Sequence, residues 1–71
     1  MSEETAYNVA YEVCKIFLPN ARKTVKCTET LAKIFIHGVA RRDDVRRELR
    51  EAGLSEEEIK RIEEEAERRI G

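Results

Sequence analysis

NARKTVKCTETLAKIFIH, residues 20–37, decides between two folds for this chain. Ala21, Val25, Thr28, Ala32, Phe35 and Val39 recur at alternating steps of four and three, the spacing that lines up one face of a helix. Arg22, Lys26, Glu29 and Lys33 fall on a polar stripe beside them. Against this, Thr24-Val25-Lys26-Cys27-Thr28 alternates, and Ile34-Phe35-Ile36-His37 is rich in strand formers. A hairpin within 22–37 would have to turn near Glu29-Thr30-Leu31, which lacks the Gly, Asn, Asp or Pro that tight turns need. The residues favour a helix over about 20–37 and hence an all-α bundle. An α+β fold with the hairpin is the runner-up.

Upstream, Ala6, Val9, Ala10, Val13, Ile16 and Phe17 follow helical spacing, and Tyr7, Tyr11, Cys14 and Leu18 form a second apolar file beside them. Only Asn8, Glu12 and Lys15 make a polar stripe. This first helix, about 3–18, is apolar around more than half its circumference and needs neighbours on two sides. Leu18-Pro19-Asn20 separates it from the second segment, with Pro19 in the connection or at the helix start, where its missing N–H costs nothing.

Downstream, Asp43 or Asp44 can cap a third helix, about 42–52, with Val45, Leu49 and Ala52 facing inward and Gly53 ending it. Ser55 and Glu58 then form a capping box, flanked by Leu54 and Ile59 as a hydrophobic staple. A fourth helix, about 55–70, carries the apolar stripe Ile59, Ile62, Ala66 and Ile70. Glu56–Lys60, Glu57–Arg61, Glu64–Arg68 and Glu65–Arg69 are spaced as ion pairs in the favourable order.

A chain of 71 residues makes one domain at most, with a core small enough that caps and crosslinks matter. Hydrophobic residues at 41% suffice for a packed core, which argues against disorder. Charged residues also reach 41%, against roughly 25% in ordinary domains. The net charge of −1 argues neither for nor against an anionic partner. MSEETAYN has no basic stretch followed by an apolar run, and no window is long and apolar enough to span a membrane. The expectation is a soluble, cytoplasmic protein that does not engage membranes.

From residue 41 to 71, 20 of 31 residues are charged and nearly all the others are Ala, Leu, Ile, Val or Gly. Consistent caps, ordered ion pairs and strong helix formers on exposed faces are design rules. ELREAGLSEEEIKRIEEEAERRI resembles computationally designed helical miniproteins. The resemblance covers about residues 41–71 and is one of style; residues 1–40, with four Thr, two Cys, Asn8 and His37, are less idealised. It implies a scaffold or binding module with no natural substrate. A natural protein rich in surface ion pairs, as in thermophiles, is the alternative origin. Glu48–Ile62 also resembles helix-turn-helix and ubiquitin-associated units in outline. However, the would-be recognition helix opens Ser55-Glu56-Glu57-Glu58, which phosphates would repel. Ala52-Gly53-Leu54 stands where a ubiquitin-associated loop has Met-Gly-Phe/Tyr.

Candidate chemistry is sparse. Cys14, Cys27 and His37 fall short of the four ligands of a structural zinc site, and no orienting group completes a Cys–His dyad. If the chain turns back near Pro19, Cys14 lies roughly opposite residues 24–27, so a Cys14–Cys27 disulfide is open beside two reduced core thiols. Arg41, Arg42, Arg46, Arg47 and Arg50 suggest nucleic-acid contact, but Asp43, Asp44, Glu48 and Glu51 interleave, which favours a solvated, ion-paired face. His37 suits a helix C-terminus better than a ligand role. Neither an enzyme nor a cofactor is expected. Tyr7, Tyr11 and Leu18 exceed what one neighbour can cover. They belong either to a central helix covered on both sides or to a patch for a protein partner or a second copy. A natural interaction or nucleic-acid-associated regulatory domain is the competing function.

Overall fold

The computed structural model describes residues 1–70. It is all-α, with four helices among the described residues: α1 (Glu3–Phe17), α2 (Ala21–His37), α3 (Arg42–Glu51) and α4 (Glu56–Ile70). A 3₁₀ turn, Val39–Arg41, leads into α3. Each helix packs on the next and α4 closes back on α1, so the four surround one core.

The disputed segment is helical because its local polar groups are satisfied that way. The Asn20 side chain accepts from the backbone N–H groups of Arg22 and Lys23 at 2.9 and 3.1 Å, capping α2. Thr24 Oγ1 donates to the Asn20 carbonyl at 3.0 Å, and Thr28 Oγ1 to the Thr24 carbonyl at 2.8 Å. These back-bonds let two strand-forming residues sit inside a helix. The inward face of α2 differs from the expected file. Ala32 and Phe35 are buried, but Ala21, Val25 and Val39 lie outside. Thr24, Cys27, Leu31 and Ile34 are buried instead, because α2 must serve α1 on one side and α3 on the other.

Small residues set the α1–α2 seam. Ala6, Ala10, Val13 and Cys14 are fully buried, and α2 is the closest neighbour of α1. Cys14 and Cys27 are joined across this seam with their Cα atoms 6.0 Å apart. The bridge is formed; neither sulfur is a reduced core thiol.

Between α3 and α4 the backbone follows its local signals closely. Gly53 adopts φ +94°, the left-handed region open to glycine. Its N–H donates to the Arg50 carbonyl at 3.1 Å, and that of Leu54 to the Leu49 carbonyl at 3.2 Å. This is a Schellman motif, whose apolar partners Leu49 and Leu54 are both buried. The Ser55 N–H donates to Glu58 Oε1 at 2.8 Å, and the Glu58 N–H to Ser55 Oγ at 3.1 Å, completing the capping box. Two expectations fail here. Neither Asp43 nor Asp44 caps α3, because the preceding 3₁₀ turn places Arg41 at the cap position and both aspartates in the first turn, beside the positive helix end. Ile70 is exposed, since the core ends at Ala66.

Candidate functional site

The apolar file Tyr7, Tyr11, Cys14 and Leu18 splits in two. Cys14 and Leu18 point into the core, Leu18 retaining 4% exposure. Leu18 therefore does not belong to a docking patch; it sits beyond the end of α1, where the chain turns inward to meet α2. Tyr7 and Tyr11 stay outside, 43% and 47% exposed. They flank the seam, and although α1 touches both α2 and α4, each tyrosine keeps more than two-fifths of its surface open. The Lys15 ammonium stands 5.5 Å from the centre of the Tyr11 ring, a cation–π contact that places a charge beside the aromatic surface. Ile16, on another side of α1, is also exposed.

All five arginines of the nucleic-acid candidate are engaged by carboxylates. Arg46 forms a two-pronged pair with Glu63 at 2.7 and 2.8 Å, and Arg50 a similar one with Glu56 at 2.6 and 2.8 Å. Arg42 pairs with Glu67, while Arg41 and Arg47 share Asp44 at 3.5 and 3.3 Å. Three of these pairs tie α3 to α4, so Arg42, Arg46 and Arg50 brace the bundle. Lys33–Glu48 links α2 to α3, and Arg69–Glu12 links α4 to α1. Within α4, Glu57–Arg61 and Glu65–Arg69 form as spaced. Glu56 is taken by Arg50 rather than Lys60, and Arg68 pairs with Glu65 rather than Glu64.

These pairs make a pH prediction. The hydrogen bond from Arg50 holds Glu56 below the usual carboxylate range, and those from Arg69 and Arg68 do the same for Glu65. Each group binds protons less readily folded than unfolded. Its contribution is complete above the ordinary glutamate value of about 4.3 and is lost as pH falls through the lower folded value. Urea unfolding at a series of pH values should show stability falling as pH drops below the ordinary glutamate range. Stability that rises on acidification would contradict it.

Among the described residues no cluster of three or more His, Cys, Asp or Glu is placed to hold a metal ion. Cys14 and Cys27 are bonded to each other, so neither offers a thiol to His37, which ends α2 on the surface. No described helix is long and apolar enough to cross a membrane. No protein-family model, curated protein or solved structure matches the chain.

Proposed function

We propose that this chain is a de novo designed, non-enzymatic scaffold or protein-binding module with no natural substrate, working through the aromatic face of α1. The observation that carries the reading is the exposure of Tyr7 and Tyr11 one helical turn apart, along the edge of the buried face of α1. Tyrosine brings large contact area at low entropy cost, which suits an anchor for a protein partner or a second copy. Residues 41–70 support it as a brace: idealised caps, a Schellman turn and cross-helix ion pairs hold α3 and α4 behind the working half. Production inside the cell belongs to this reading, with the Cys14–Cys27 bridge closing once the protein meets an oxidising medium. A natural interaction domain would use the same surface. A nucleic-acid role through Arg41–Arg50 is disfavoured because those charges are already neutralised.

Tyr7→Ala and Tyr11→Ala test the proposal. Each should cost folding about 1 kcal/mol or less in thermal melts, as substitutions outside the core do. Peptides selected from a displayed random library on the folded protein should lose about tenfold or more in affinity for the double variant, because aromatic anchors carry a disproportionate share of binding energy. Binders that tolerate both substitutions would place the working surface elsewhere.

A further inference from the structure

Positive charge is divided unevenly over this fold. Residues 13–28 contain no carboxylate, yet include Lys15, Arg22, Lys23 and Lys26. None of these four cations is ion-paired among the described residues, in contrast to every arginine from Arg41 to Arg50. Over the rest of the chain ten cations face fifteen carboxylates, so the near-neutral total conceals a basic end on a clearly acidic body.

Apolar surface lies between those charges. Val25 is 57% exposed, and two shallow hollows of about 840 and 300 Å³ meet along Ala21 and Val25. One is edged by Arg22, Lys23 and Lys26, with Glu29 the sole carboxylate on its rim. The other is edged by Tyr11 and Lys15. The surface therefore runs from the aromatic face of α1 across to the first turns of α2.

We infer that this surface, centred on Tyr11, Lys15, Arg22, Lys23, Val25 and Lys26, docks a short acidic segment of a partner protein, its glutamates or aspartates flanking an apolar side chain. The inference rests on the reading of the α1 face as a docking surface and specifies what that face accepts. Charge complementarity selects the acidic flanks, and the exposed apolar strip between the cations selects the anchor. Length selects a short segment over a nucleic acid: a polyanion extending past these four cations meets a body with an excess of carboxylates, which repels it.

The probe is a short synthetic peptide in which glutamates flank a Leu-Phe pair, titrated into the isotopically labelled full chain and followed by amide chemical shifts. Three comparison ligands accompany it: its Glu→Gln analogue, an analogue with Leu-Phe replaced by Gly-Ser, and a thymidine oligonucleotide. The acidic peptide should shift amides of residues 11–26 and weaken with added salt. The Gln analogue, the Gly-Ser analogue and the Arg22→Glu/Lys26→Glu variant should each bind about tenfold or more weakly. A Lys60→Glu control, on α4 and lining neither hollow, should bind as the parent does, and circular dichroism should show both variants folded. Equal binding of the Gln analogue at the same amides would sink the acidic partner while leaving the docking face standing. Binding of no peptide would remove both. An oligonucleotide bound more tightly than the peptide, or an unaffected Arg22→Glu/Lys26→Glu variant, would overturn the inference.

Discussion

Leu49→Ala is expected to destabilise the protein by about 3 kcal/mol or more, the largest single effect anticipated for this fold. The side chain is fully buried and anchors α3 to the shared core. It also provides the apolar half of the Schellman motif, so truncation loosens the packing of Leu54 and the turn that reverses the chain into α4. For a domain of this size each kcal/mol corresponds to roughly 4–8 °C, so the melting temperature should drop by well over 10 °C. A variant melting within a few degrees of the parent would mean that the core is not shared by the four helices as described.

Removing the Cys14–Cys27 bridge should cost nearly as much. The bond closes a loop with a sequence separation of 13, and restricting an unfolded loop of this length is worth about 3 kcal/mol. In a small core that is a large fraction of total stability. Both sulfurs are fully buried, so a mild reductant should act slowly on the native protein and quickly once it is partly unfolded. The Cys14→Ala/Cys27→Ala variant should remain helical in the cold and melt at least about 10 °C lower. Equal melting temperatures with and without the bridge would show that the α1–α2 seam holds by packing alone.

How far these features were legible depended on whether their causes were local. The Gly53 turn and the Ser55–Glu58 box depend on residues a few positions apart and form as read, and Leu54 and Ile59, expected as a staple, are both buried in the core. The helix over residues 21–37 was legible from its period and from the lack of a turn in the middle. A further signal went unused: Asn20 directly after Pro19 is a ready N-cap. The inward face of α2 was not legible beyond Ala32 and Phe35, because a helix with two neighbours buries whatever faces both of them. Leu18 misled for a related reason. It follows the helical file of Tyr7 and Tyr11, yet it lies past the end of α1, where the backbone becomes extended and turns the side chain inward. The proposed docking surface was half visible. The tyrosines stood out as surplus apolar area; the carboxylate-free run 13–28 was present in the sequence, but only folding joined its four cations to the exposed apolar strip at Ala21 and Val25.

Tyr7 and Tyr11 lie outside the core as a preformed face. Laser-induced nuclear polarisation of tyrosine rings by a flavin dye reports that accessibility in the native protein. At low concentration, where copies are apart, both rings should polarise, and the signals should fade as a ligand covers them. Rings that stay dark in the free, folded protein at every concentration would place both tyrosines inside the fold and contradict the account.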